Sequence, residues 1–257
     1  MIKVAVLDDY QNIFQQIINV EDYKNKFDFK PETAPVIYEC HIGMAQEEEK
    51  VGSFEEFRIN ILPKIQKAGY NVIQMMAIQE HPYYGSFGYH VSNFYSTTSI
   101  FGSPVELKKL IDQAHKLGIA VVMDIVHSHS VKNWAEGLNY FDGSDDQYFH
   151  PGDRGLHPQW DSMIFNYGKL EVQRFLLSNL RYWLEEFHFD GFRFDGVTSM
   201  MYHDNGLGTF DSYDKYFKNG IEWDAVTYLQ LANQLIKEIK PHSLSIAEDM
   251  SGMPGLC

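Results

Sequence analysis

Cysteine is almost missing from this sequence. Cys40 and Cys257 are the only two in 257 residues. One lies inside a strand-like run and the other is the last residue, so a disulfide framework is excluded and a reducing compartment fits. Positive charge is scarce as well: 21 Lys and Arg face 35 Asp and Glu, a net charge of −14. That balance argues against nucleic acid or an anionic membrane as partner, because phosphate binding needs cations in excess. No apolar run approaches a membrane span, and the opening "MIKVAVLDDYQN" lacks the form of a signal peptide, so the expected location is cytoplasmic. No glycine-rich phosphate loop follows a strand in the main body, which leaves dinucleotide-binding folds without their signature. Aromatic residues, by contrast, are plentiful, with 18 Phe, 16 Tyr and 4 Trp. Rings not used in a core suit stacking, and on an acidic chain the favoured stacking partner is a neutral sugar.

Strand-like and helix-like runs alternate through most of the chain. The strand runs are Pro35–Gly43, Asn71–Ile78, Ile119–Val126, Phe189–Gly196 and Ser243–Asp249, with Lys3–Leu7 a possible sixth. Helical periodicity covers 54–68, with Pro63 marking a break or restart, then 103–118, 170–187 and 225–239, the last with Asp224 as its expected cap. The helix after Ser103 is the best marked: Ser103 as N-cap, Pro104 at the first position, Glu106 completing a capping box and Gly118 closing it. Such alternation predicts an α/β fold, a parallel sheet with helices outside, either doubly wound or a (β/α) barrel. Residues 129–169 read as one long loop, a length that usually signals function.

Polar residues gather where these strands end. Glu39 and His41 close the first, Asp124, His127 and His129 the third, Arg193 and Asp195 the fourth, Glu248 and Asp249 the fifth. Catalytic groups of parallel α/β folds occupy that edge. In "FDGFRFDG" (189–196) Arg193 and Asp195 are two apart on a strand and share a face. Arg193 is expected to keep Asp195 ionised in an apolar setting, whereas Glu248, with no such neighbour, is expected to be the carboxyl more readily protonated. One ionised and one protonated carboxyl serve glycoside chemistry, and a separation of ~5–5.5 Å would mark the retaining mechanism. The His127-x-His129 pair leaves a metal-dependent hydrolase as a second reading.

"VVMDIVHSH", "GFRFDGVTS" and "SIAEDMSGMP" resemble three of the four conserved stretches of the α-amylase superfamily. Together with "IYECHIGM", "GYHVSNFY", "NYFDGSDDQYFH" and "WDSMIFNYG", they are similar to the glycogen (1,4-α-glucan) branching enzymes. The resemblance implies an incomplete (β/α)8 TIM barrel over 35–257, about five of eight strands, after a linker at 26–34. It implies Asp195 as nucleophile, Arg193 as its charge partner and Glu248 as acid and base. Asp124, His129 and His90 would hold sugar hydroxyls and Tyr89 would stack on a ring. The implied partner is an α-glucan such as glycogen, amylose or starch, with no cofactor and no metal. Cutting an α-1,4 link and making an α-1,6 branch is the implied reaction; an α-amylase-like hydrolase and a non-catalytic glucan-binding chain are the alternatives. The fourth conserved stretch, a His-Asp pair, is expected beyond Cys257, so little or no turnover is expected here, and His203-Asp204 does not replace it. Met163 and Ile100 stand where the family commonly has Arg. Residues 1–25, an added N-terminal β-α segment, resemble instead the start of a D-isomer-specific 2-hydroxyacid dehydrogenase.

Overall fold

The computed structural model describes residues 27–30, 34–218 and 220–256. The expected β-α segment at 1–25, Lys3–Leu7 included, lies outside them. Five parallel strands form the central sheet: β1 (Ile37–Cys40), β2 (Val72–Met75), β3 (Ala120–Ile125), β4 (Gly191–Phe194) and β5 (Leu244–Ala247). They stand side by side in chain order, β1-β2-β3-β4-β5. Register runs Ile37 beside Val72, Val72 beside Ala120, Val122 beside Gly191 and Gly191 beside Leu244. In-order parallel strands with helical crossovers make this a partial α/β barrel, one of the two architectures the sequence left open.

The two faces of the sheet bury different residues because side chains alternate along each strand. Ile73, Met75, Val121, Met123, Phe192 and Phe194 join the main core. Val72, Ala120 and Val122 face the other way and pack with Phe29 in a second, smaller core flanked by Phe27, Leu244 and Ile246. The stretch read as a linker is therefore packed in its described part. Phe29 lies on the concave face, Phe27 stacks on His115 with ring centroids 4.3 Å apart, and Asp28 pairs with His242 at 2.8 Å.

The helices follow their sequence signals with two differences. The first helical stretch opens with a capping box at Ser53 and Glu56, α1 (Phe54–Glu56), then widens into a π turn over Phe57–Ile61 before α2 (Leu62–Lys67). Pro63 explains the widening. Its ring would strike the carbonyl of Ile59 in a regular α-helix, and the wider turn, in which Leu62 N–H reaches Phe57 O, gives it room. Next come α3 (Pro104–Lys116) and α4 (Leu170–Glu186), then the short α5 (Val197–Met201) and α6 (Asp214–Phe217), and finally α7 (Trp223–Ile239). Asp224 does not cap α7, which starts two residues earlier than expected, after Glu222, with no side-chain cap bond. Glu222 is held by Arg154 and His203.

The α3 cap is as expected: the Ser103 hydroxyl accepts from Glu106 N–H at 3.3 Å, and Glu106 Oε2 accepts from Ser103 N–H at 2.6 Å. Ser103→Ala is expected to cost about 1 kcal/mol in urea melts, because one first-turn N–H loses its partner. The 129–169 stretch is not irregular throughout. It holds a small antiparallel sheet of His129–Val131, Ser162–Ile164 and Leu156–His157, strands too short to show a period.

Candidate active site

Three neighbouring strands deliver their carboxylates to one guanidinium. Arg193, on β4, donates through Nη1 to Asp195 Oδ1 at 3.0 Å and to Asp124 Oδ2 at 3.1 Å, and its Nη2 lies 3.1 Å from Glu248 Oε1. Asp124 sits in the last turnings of β3, Asp195 just beyond β4 and Glu248 just beyond β5. All four side chains thus share the concave side at the C-terminal sheet edge. The strands are adjacent and in register, which is what brings residues from distant parts of the chain within one side chain's reach.

The electrostatics differ from the sequence expectation in one respect. Burial pushes the Asp195 carboxyl up, to about 7, and the Glu248 carboxylate adds to the rise while Arg193 opposes it. Asp124 is raised to about 6, again first by burial, against the pull of Arg193 and Tyr89. Arg193 does not offset burial and the Glu248 charge in full, and its one cation is divided among three acids. Its own pKa is raised: burial works against its charge, and the surrounding carboxylates outweigh that. Asp195 is also the more enclosed of the pair, with 13% of its side chain exposed against 38% for Glu248. Gly196, at φ +65, turns the chain so that its N–H donates to Glu248 Oε2 at 2.8 Å. That positive φ is a conformation glycine adopts freely.

The remaining expected residues line the same cleft. The Tyr89 hydroxyl donates to Asp124 Oδ2 at 2.7 Å. Asp124 Oδ1 is buried with no protein partner, an acceptor left over at the cleft floor. His129 faces the Tyr89 carbonyl through Nε2 at 2.7 Å, which assigns the proton to Nε2, and Nδ1 then accepts from the Ser128 hydroxyl at 2.9 Å. Burial lowers His129 to about 3, so it stays neutral. Both its nitrogens are engaged, so any sugar hydroxyl must compete with a protein partner. His90 donates through Nε2 to Trp160 O at 3.1 Å.

Other polar strand ends belong elsewhere. His127 Nδ1 meets the Tyr228 hydroxyl at 2.5 Å and Nε2 meets Asn179 Oδ1 at 3.0 Å. It is a buried structural histidine lowered to about 4 by burial, and its ring points to the helices while His129 points to Tyr89, so the two do not form a chelate. Asp249 accepts from Thr198, Ser251, Gly252 and Met253 and shapes the turn after β5. His41 lies among the ring edges of Tyr84, Phe87 and Phe101. His203 and Asp204 are tied to Glu222 and Lys215. Met163 is buried in the small sheet beside Ser130.

Sequence reasoning missed Trp160. Its ring stacks on His157 at 3.9 Å and 5°, and leans on His129 at 5.0 Å. It lies 3.1 Å from where a Cβ at Gly196 would be, beside Asp195. Being uncharged and inside a loop, it stood out only as the first residue of the quoted stretch "WDSMIFNYG" and as one of many aromatic residues.

The chain is similar to known proteins over most of its length. The α-amylase catalytic-domain family matches residues 59–165. A 1,4-alpha-glucan-branching enzyme of Yarrowia lipolytica is 55% identical over 262 residues, covering 96% of this chain and 38% of that protein. That of Equus caballus is 56% identical over 223 residues, covering 86% of this chain and 32% of its own. The chain thus spans about a third of the length of the curated relatives it matches. Among solved structures, an α-amylase from Geobacillus thermoleovorans complexed with acarbose superposes with a TM-score of 0.64 at 18% identity, over 87% of this chain and 48% of that one. At that identity the likeness concerns the fold.

Proposed function

We propose, for a chain that carries a stretch of 1,4-alpha-glucan-branching-enzyme sequence within the α-amylase superfamily, that the cleft performs retaining glycosyl transfer on an α-1,4-glucan. The observation that carries this reading is the single Arg193 guanidinium bound at once by Asp124, Asp195 and Glu248. Asp195 and Glu248 are held close enough to share that cation, so they can work on the two sides of one glycosidic bond.

Retaining transfer needs one proton on the pair, and the raised Asp195 is consistent with the dyad keeping one near neutral pH. When a sugar enters, the proton passes to the leaving glycosidic oxygen from Glu248. The Asp195 carboxylate bonds to C1 as the C1–O bond breaks. A 6-hydroxyl of a second glucan chain then attacks C1, its proton goes to Glu248, and Asp195 is released. Arg193 stabilises whichever carboxylate is charged at each stage. Asp124 Oδ1 accepts from a sugar hydroxyl, and Tyr89, His90, His129 and Trp160 wall the ring. Among the described residues no helix is long and apolar enough to cross a membrane. Glycogen or starch is the proposed substrate, and a reducing, cytoplasmic setting fits the buried free thiol of Cys40.

The test is covalent trapping. A 5-fluoro-α-glucosyl fluoride loads a retaining nucleophile and slows its release. Peptide mass mapping is expected to find the sugar on Asp195 and to find none on Asp195→Asn. Label on another residue, or none on the wild-type chain, would overturn the assignment. Product analysis for α-1,6 linkages separates transfer to a 6-hydroxyl from hydrolysis.

A further inference from the structure

We propose that Trp134 and Tyr140 form a second, external platform for α-glucan chains, on the loop that also brings Trp160 to the cleft. The proposal rests on the glucan reading above. Trp134 is 75% exposed and Tyr140 41% exposed, and their ring centroids are 4.9 Å apart at an interplanar angle of 52°. Two large rings side by side in water are costly to leave bare, and such a patch marks a contact site more often than an isolated exposed ring does.

The platform is held in place. Tyr140 adopts φ +57, a left-handed conformation uncommon for an aromatic residue. Such strain persists only where surroundings enforce it, and it clusters at ligand sites. Here the surroundings are specific. Asn139, next in the chain, is buried and donates through Nδ2 to Lys132 O at 2.6 Å. Gly143 N–H donates to Tyr140 O at 3.0 Å, and Phe141 N–H to Leu138 O at 3.2 Å. Lys132 pairs with Asp161, the neighbour of Trp160, which ties the base of the platform to the cleft wall.

The chemistry selects a sugar chain over other occupants. A glucose ring presents a flat C–H face that packs on an aromatic ring, with hydroxyls around its rim as donors. Glu136, Asp142 and Asp145 are near neighbours of the two rings in the chain, and carboxylates accept from hydroxyls and repel phosphate. Two rings inclined to each other suit an α-1,4 chain, which curves, better than a straight or planar ligand. A chain gripped outside would raise the local concentration of its other end at the cleft. The benefit therefore grows with chain length and is absent for a short oligosaccharide.

Retention in native gels cast with amylopectin tests this, comparing the wild-type chain with Trp134→Ala, the double variant Trp134→Ala/Tyr140→Ala, and Asp195→Asn. Tryptophan fluorescence with maltotriose reports the cleft independently through Trp160. The expected result is roughly tenfold weaker retention for the double variant, an intermediate loss for Trp134→Ala, retained binding by Asp195→Asn, and an unchanged maltotriose response in the platform variants. Equal retention of the double variant and wild type would overturn the platform and leave the cleft reading intact. So would wild-type chain that ignores amylopectin but still responds to maltotriose. No response to either glucan overturns both. A platform variant that turns a dimer into a monomer by sedimentation, with retention unchanged, overturns the proposal by assigning the rings to contact with a second copy.

Discussion

Gly191→Ala separates β5 from β4. Gly191 has φ +150, and a Cβ there would lie 1.9 Å from Leu244 O and 2.7 Å from Leu244 C and N. The obstacle is backbone of the paired strand, so no rotamer change relieves it, and the positive φ adds strain of its own. Leu244 N–H also donates to Asp190 O at 2.8 Å, so the clash falls on the first residue of β5. The expected cost exceeds about 3 kcal/mol in urea melts. Amide exchange should speed up at Leu244–Ala247 and stay slow across β2 and β3. Glu248 leaves with the strand, and Arg193 loses one of its three acids. A variant with wild-type melting and protected β5 amides would show that the strand pair tolerates a side chain here.

Asp195→Asn is expected to stabilise the protein, by an amount that grows as pH rises from about 4 to about 7 and is constant above. Burial first, then Glu248, raises Asp195 from an ordinary 3.8 to about 7 in the folded chain. The folded state therefore holds more protons than the unfolded one between those two values. Stability falls as pH rises through that window, and the whole cost is present above about 7. Asparagine cannot ionise yet still accepts from Arg193, so it removes the cost and keeps the bond. The gain is on the order of 3 kcal/mol at pH 8 and close to nothing at pH 4. Melts of both proteins at the two pH values read it directly. A gain of equal size at both would mean that packing, and not charge, is responsible. The enclosed carboxyl is then a stability cost borne at a working site.

The fold was legible wherever a local signal was strong. The Ser103-Pro104-Glu106 cap and the run of β3, apolar but for Asp124, needed no tertiary knowledge, since a capping box and a doubly covered strand are written in adjacent residues. The site was legible for the same reason: Asp124, Arg193, Asp195 and Glu248 each end a strand, and adjacent parallel strands end together. What stayed hidden depended on partners far along the chain. The proton balance of Asp195 turns first on its burial and then on the acids that share Arg193, neither of which "FRFD" reveals. Trp160 gains its place from His157, His129 and Gly196, and Phe29 from strands on the far side of β1. His127 and His129 look alike in sequence, and only the helix residues Asn179 and Tyr228 separate a structural imidazole from one in the cleft. Asp224 failed as a cap because Glu222, fixed by Arg154, sets where α7 begins.

Because every strand of the sheet pairs with its predecessor, the growing chain can dock each one as it leaves the ribosome, onto an edge already built. Asp124 arrives on β3 before any cation is there to meet it. Until β4 is translated, Asp124 stands on the open edge of the sheet, and Arg193 then reaches it on the same strand as Asp195. Glu248 joins last. The nascent sheet thus acquires its acids in an order that leaves at most one of them waiting, which spares the half-made protein the repulsion its finished cleft contains.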